Sequence, residues 1–383
     1  MFILSILSIS LCVVRILHIS SARSFGGGER HFIDLTRSLV QRGHQVFAAL
    51  VPSTPLLDEL LHVPASNLLT LPLKNALDLA SARRLAGFVR ERQIEIVHAH
   101  VARDYPLAAY AARRAGARFV ITRHVPFALS KLHRLTLANV ACVIAVSESV
   151  AHQLSARGIV TAAKIRVIPN GVDLRRFVAT AHHPQREKLN HDLPSSASLF
   201  AGTIGELSEV KGQDDFVRAA ALVAKQEFAD TGFIIAGADN APGQQNRARI
   251  EQLIARENLQ TRVYLLGYVP DVAPLLASLD VYVSAARAEA FGLALVEAMA
   301  CGVPCIATAT DGARSIIEDD VSGRLVPIGD AAALARAVMD LLRDAVARAR
   351  LGAAGRKRVH ESFSLERMAD ATEEVYREAL TSK

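Results

Sequence analysis

The chain has 383 residues, 51% hydrophobic and 21% charged, which excludes a mainly disordered polymer and predicts two or three domains at ~150 residues each. Four Cys are too few for a disulfide scaffold, and Cys301 and Cys305 have neither a second pair nor a nearby His to complete a zinc site. Net charge is +6, split between a basic half (residues 1–198, 24 Lys/Arg against 12 Asp/Glu) and an acidic one (residues 199–383, 20 against 26); the basic half suits an anionic glycan or lipid surface, and nucleic acid is disfavoured because no aromatic stacking platform or reader motif accompanies the charge.

Residues 1–13 are almost wholly apolar. The run is short for a membrane span, and it lacks the charged start and small-residue cleavage site of a signal peptide. It reads as an extension ahead of the fold, with a short membrane anchor as the rival reading. The first domain, residues 14–180, opens with a buried strand at Arg15–Ser20 and a glycine-rich loop, Ser24 to Arg30, followed by a helix over His31–Arg42. Gly27 and Gly28 lack a Cβ, so backbone amides at a helix start can approach an anion there. The spacing is neither G-x-G-x-x-G nor a P-loop, and a plain tight turn explains it equally well.

Apolar runs at Ile94–Ala99, Arg118–Thr122, Cys142–Val146 and Ile165–Ile168 alternate with helix-period segments such as Leu107–Arg114. Continuous apolar strands between helices predict parallel sheets covered on both faces. Ligands of such sheets bind beyond the carboxyl ends of the strands, so the residues just after each run matter most. His98, His100 and Asp104 follow one run, and His124 follows the next. Strand alternation turns His98 and His100 to one side. Three imidazoles near strand ends suit a polar pocket for hydrogen bonding or acid–base work near neutral pH, although a single His there would usually be structural.

The polar stretch 179–198 predicts a domain boundary, with a second domain over residues 195–360. Its strands are expected at Leu199–Thr203, Phe233–Ala236, Val263–Leu266, Asp280–Ser284 and Pro304–Thr308, with a helix over Asp214–Lys225. Lys211, beside Gly212 at a helix start, is placed to meet a phosphate, a solvated Lys being the plain alternative. After Ser284 come Arg287, Glu289, Phe291, Gly292, Leu293 and Glu297. A helix starting near Phe291 or Gly292 would offer free amides to an anion, and the two carboxylates could accept hydrogen bonds from one hydroxylated ligand. A first-turn Glu stabilising the helix dipole would explain Glu289, but not an inward Glu297 among Leu, Val and Ala. Residues 361–383 hold a last helix, Ser364–Leu380. The fold class is α/β: two Rossmann-like, doubly wound parallel-sheet domains facing a central cleft.

In this combination the chain resembles the retaining, nucleotide-sugar-dependent glycosyltransferases of group 1, or family 4, with the GT-B fold. The resemblance runs from about Val14 to the end. It rests on Gly26–Arg30, His98-Ala-His100, Val146–Ser149, Ile168–Asp173, Gly205–Gly212 with Lys211, and above all the Glu289/Glu297 pair followed by Ala-Met-Ala-Cys-Gly-Val-Pro. It implies transfer of a hexose-type sugar to a cell-envelope glycan or lipid-linked acceptor by a cytoplasmic enzyme, peripheral at the inner face of the membrane. It further implies that Lys211 neutralises the donor diphosphate and Glu289 contacts the transferred sugar. Phe291, Gly292 and Leu293 would support sugar and phosphate through their amides, and Glu297 would hold the ribose. Gly27 and Gly28 would let the first loop close, and His124 would face the reacting sugar. His98, His100 and Asp104 would lie on the acceptor side, and the last helix would cross back to the first domain.

One departure stands out. The family usually carries Arg where this chain has Glu206, so Arg287, Arg23 or another residue is expected to supply the missing charge. The Asp-x-Asp metal motif of the other main glycosyltransferase fold is absent from the sequence, so no metal and no cofactor beyond the nucleotide sugar is expected. Two alternatives stay open: a GT-B nucleotide-sugar epimerase, which the Glu289/Glu297 spacing disfavours, and a catalytically silent glycolipid-binding scaffold, which Glu206 motivates.

Overall fold

A computed structural model of the chain describes residues 13–381 except 126, 128, 179–196, 227 and 229. The expected extension 1–13 and the expected boundary 179–198 therefore lie almost wholly outside the described residues. Among the described residues thirteen strands form two sheets, all neighbouring pairs parallel.

The first sheet holds β1 (Arg15–Ser20), β2 (Gln45–Leu50), β3 (Leu68–Thr70), β4 (Ile96–Ala99), β5 (Arg118–Arg123), β6 (Cys142–Ala145) and β7 (Ile165–Val167) in the order β3-β2-β1-β4-β5-β6-β7. The second holds β8 (Leu199–Ile204), β9 (Thr231–Ala236), β10 (Val263–Gly267), β11 (Val281–Ser284), β12 (Cys305–Thr308) and β13 (Arg324–Val326) in the order β10-β9-β8-β11-β12-β13. Central strands are buried along their length, as β4 and β9 are throughout, which is why they read as apolar runs without alternation. Strand order reverses between β1 and β4 in the first domain and between β8 and β11 in the second. At such a reversal the loops part and leave a crevice, and the candidate groups gather beside both.

The helix Leu365–Thr381 belongs to the packing of the first domain. Its Leu365, Met368, Val375, Tyr376 and Ala379 join a core with Ile16, Phe32, Leu35 and Ile96. Around that core Arg42 pairs with Asp370 at 2.5 Å and with Glu373 at 2.7 Å, and His44 Nε2 meets Glu373 at 2.7 Å. The crossing point is Gly171, where an added Cβ would stand 2.4 Å from the Ser364 carbonyl oxygen. Among the described residues no helix is long and apolar enough to cross a membrane.

Candidate active site

In the second domain β8 runs into the turn that carries Lys211. Gly212 follows with φ +67°, and a Cβ there would lie 2.0 Å from the Ala285 oxygen. Only glycine lets this turn seat against the end of β11. The Lys211 Nζ donates to Glu289 Oε2 at 2.5 Å, joining the loops on either side of the strand-order reversal. The Glu289 loop is held from two sides. The Arg287 amide donates to the Val210 oxygen at 2.8 Å, and the Gly312 amide donates to the Glu289 oxygen at 3.1 Å. A Cβ on Gly312 would stand 2.3 Å from the Phe291 oxygen. Sequence reasoning missed Gly312; its only signal is a Thr-Asp-Gly helix start directly after β12.

The loop ends at Gly292, φ +116°, which opens the helix Leu293–Ala300. Glu297 sits on that helix. Burial pushes its carboxyl up to about 7, opposed by the positive charges of Arg30 and Arg176 from the first domain. The Arg287 guanidinium donates to Asp215 Oδ2 at 3.2 and 3.0 Å, so it ties its loop to the helix Gln213–Ala224. Asp215 also meets Arg218 at 2.8 Å, so one carboxylate is shared by two guanidinium groups.

Across the interface the first helix starts at Gly27, four residues earlier than the sequence predicts. Gly27 and Gly28 thus lie in its first turn. A Cβ on Gly27 would stand 3.5 Å from Leu293 Cδ1, and one on Gly28 3.5 Å from the His124 ring. The glycine turn is therefore wedged between His124 and the helix of Glu297. Glu29 reaches back to the amides of Gly26 and of itself; burial raises its carboxyl, and the exposed Glu206 across the gap adds repulsion. Glu206 thus faces another carboxylate.

Beside this turn lies a stack of five imidazoles, from His18 on β1, His31 on the first helix, His98 and His100 on β4 and just beyond it, and His124 after β5. The His98 and His100 rings stack at 4.3 Å, and His31 meets His124 edge-on at 4.6 Å. His18 Nδ1 lies 3.0 Å from His100 Nε2, and His100 Nδ1 lies 3.4 Å from His124 Nε2. Burial pulls His18 down to about 3 and His31 to about 4, and holds His98, His100 and His124 well below the ordinary histidine range. All five are neutral at pH 7.

Two acceptor-side expectations need correction. His98 is fully buried, with Nδ1 2.6 Å from the Tyr376 hydroxyl and Nε2 2.8 Å from the Thr122 hydroxyl. Asp104 is fully buried too, and its Oδ2 accepts the Ser21 amide at 2.7 Å. Both support the cleft wall from behind. Their strand-end positions match the sequence pattern, but the last helix and the β1 loop cover them. Sequence reasoning missed His18 and His31. His18 aligns with His98 across β1 and β4, which the sequence shows only once the strand order is known. His31 looks like any polar residue on an amphipathic helix.

The helices that meet at this interface share a feature. Those starting after Gly26, Gly212 and Gly292 carry no side-chain cap. Other helices are mixed: Ser147, Thr310, Asp330 and Asp344 each cap one through a side-chain oxygen, whereas Tyr105–Ala115 and Gln245–Arg256 have no side-chain cap. Glycine at the cap costs only about a few tenths of a kcal/mol and leaves the first-turn amides after Gly212 and Gly292 able to bind an anion, while Glu29 takes those beside Gly26. A cavity of about 790 Å³ lies at the opposite end of the first sheet beside Arg113, Lys164 and Arg166, away from Lys211, Glu289 and Glu297.

Two family models match the chain: "Glycosyltransferase Family 4" over residues 25–176 and "Glycosyl transferases group 1" over residues 185–358. The chain is 30% identical to the phosphatidyl-myo-inositol mannosyltransferase of Mycobacterium leprae, covering 93% of this chain and 94% of that one. It is 29% identical to the N-acetyl-alpha-D-glucosaminyl L-malate synthase of Bacillus anthracis, covering 79% and 80%. Among solved structures, Anabaena HepE in complex with UDP and glucose shares the fold with a TM-score of 0.82 at 22% identity, covering 94% and 98%.

Proposed function

The chain belongs to the group 1 glycosyl transferases, and from that premise we propose that it moves a hexose-type sugar from a nucleoside diphosphate to a cell-envelope glycan or lipid-linked acceptor, with retention of configuration and without an obligatory metal. The observation that carries the reading is the Lys211–Glu289 contact at 2.5 Å, beside two glycine-started helices and facing His124 and Gly27 across the interface.

The chemistry follows from these groups. A sugar hydroxyl entering between Lys211 and Glu289 donates to the carboxylate and frees the ammonium for the diphosphate. As the glycosidic bond breaks, negative charge grows on the leaving phosphate. Lys211 and the uncapped amides after Gly212 and Gly292 stabilise that charge without reorganising. Glu297 accepts the ribose hydroxyls. His124, neutral, offers a hydrogen bond to the sugar without a competing charge. Among the described residues no side chain stands out as a covalent nucleophile, so the acceptor hydroxyl attacks from the face that the diphosphate leaves; its oxygen bonds the anomeric carbon as the bond to phosphate breaks, and its proton passes to the departing phosphate oxygen. The lipid- and glycan-directed relatives support an envelope acceptor, and the basic half suits an anionic membrane surface.

The test is donor turnover. Purified protein hydrolyses one of UDP-, GDP- or ADP-sugars and is stabilised thermally by the matching nucleotide. Turnover survives EDTA and disappears in Glu297→Ala. A strict Mg²⁺ requirement would overturn the metal-free account. The second reading, a glycolipid-binding scaffold, is favoured only by the facing Glu29 and Glu206; binding of glycolipid with no hydrolysis of any nucleotide sugar would select it.

A further inference from the structure

We propose that His31, His100 and His124 form a binding site for a divalent transition-metal ion of the Zn²⁺ class, held by three imidazole nitrogens in the wall of the interdomain interface. Their donor atoms lie within 4.8 Å of one another. His100 Nδ1 and His124 Nε2 are 3.4 Å apart. Two nitrogens at the usual ~2.0–2.1 Å from one tetrahedral zinc stand about 3.3 Å apart, so this pair needs almost no movement to share an ion.

The rest of the site is built as a metal ligand set is built. His100 uses its other nitrogen, Nε2, 3.0 Å from His18 Nδ1. With the Nε2 hydrogen donated to His18, the Nδ1 lone pair of His100 faces His124. Ligating histidines are commonly oriented by such a second hydrogen bond. His31 is buried with Asn170 as its polar neighbour, and neither of its ring nitrogens makes a hydrogen bond of ordinary geometry among the described residues. A buried imidazole nitrogen without a partner is costly, and an ion taking one nitrogen from each ring would satisfy one of the two on His31. Burial keeps all three rings neutral near pH 7, so protons compete weakly for the lone pairs. Imidazole suits Zn²⁺, Cu²⁺ and Ni²⁺ far better than Mg²⁺. The adjoining trio His18, His98 and His100 also lies within ligand range, but His98 is engaged at both nitrogens by Tyr376 and Thr122. His124 is only partly buried and gives the first trio an opening to solvent.

The site shares His124 with the proposed sugar contact, but its test reads the ion alone, so failure of one reading is distinguishable from failure of the other. Co²⁺ and Zn²⁺ are titrated into metal-free full-length protein, with binding followed by the visible bands of nitrogen-ligated Co²⁺ and by calorimetry for Zn²⁺. One Zn²⁺ per chain is expected, with Co²⁺ bands of a low-coordinate site. His31→Gln and His124→Asn, which keep a polar side chain of similar size, each weaken binding at least tenfold. Thermal unfolding of the metal-free variants confirms that they are folded, and Zn²⁺ raises the unfolding temperature of the parent but not of the variants. Mg²⁺ gives no binding. The exposed His152→Gln and the double variant His182→Gln/His183→Gln retain full binding. The proposal is overturned if the parent binds no Zn²⁺, if binding survives both cluster variants, or if it is lost in the His182/His183 pair instead.

Discussion

The two domains are built on one plan, a parallel sheet with a reversal of strand order, yet they present opposite chemistry at their strand ends. The first presents five imidazoles kept uncharged by burial. The second presents an ammonium and carboxylates, with Lys211 against Glu289 and Glu297 beyond. Neutral groups beside a reacting sugar can direct hydrogen bonds without attracting water or counter-ions, whereas fixed charge belongs where a phosphate must be met. The contrast shows that the plan of the sheet sets where a site lies, while the residues after each strand decide what it can do.

The comparison can be broken most forcefully at the charged side. Lys211→Ala is expected to lower donor turnover by about 10²–10³-fold, as for loss of one preorganised donor to a developing anion, with an unchanged unfolding temperature; intact turnover would remove Lys211 from the reaction. The uncharged side is tested by acid. The folded values of His18 and His31 lie near 3 and 4, below the ordinary value of about 6.5. The unfolded chain therefore binds more protons, and stability falls as pH drops from about 6.5 towards 4. For these two groups the loss between pH 7 and pH 5 amounts to about 4 kcal/mol. Chemical denaturation at the two pH values checks it, and a His18→Gln variant flattens the slope.

Smaller effects sharpen the boundary between the domains. Glu29 and Glu206 face each other, and Glu29 occupies amides that a phosphate would use. Glu29→Gln combined with Glu206→Arg is expected to tighten donor binding, because two carboxylates no longer repel the diphosphate; unchanged affinity in a calorimetric titration discards the repulsion account. Glu297 is neutral below about pH 7 and ionised above it. Because ribose hydroxyls donate better to the carboxylate, the donor KM should fall about fivefold from pH 6 to pH 8, about 1 kcal/mol, and stay flat in Glu297→Gln.

Much of this architecture is legible in the amino-acid sequence. The apolar central strands announce themselves, and with them the loops that hold Lys211, Glu289 and Glu297. The strands β3 and β13, three residues each, leave too little pattern, and the six-residue β2 between β1 and β3 is also missed; β7, equally short, is read because the apolar run continues to Ile168. The first helix begins earlier than its sequence suggests because glycine disfavours helix locally, while packing against His124 and Leu293 holds Gly27 and Gly28 in the first turn. Pairings are harder to read than positions. Nothing around Arg287 indicates that Asp215, 72 residues earlier, already holds it, and nothing around His98 indicates that Tyr376 covers it. Such partners are set by how helices lie over a sheet, which local pattern does not record.

The docking of Tyr376 on His98 has a consequence for how the molecule comes into being. Synthesis runs from the amino end, and the segment that completes the core of the first domain is translated only after the second. The first domain must wait on the ribosome with Ile16, Phe32 and Ile96 incompletely covered while the second is made. A nascent chain arrested before residue 365 should therefore recruit chaperones and be cut by proteases at its opening strands, and release of the finished chain should end that exposure at a stroke.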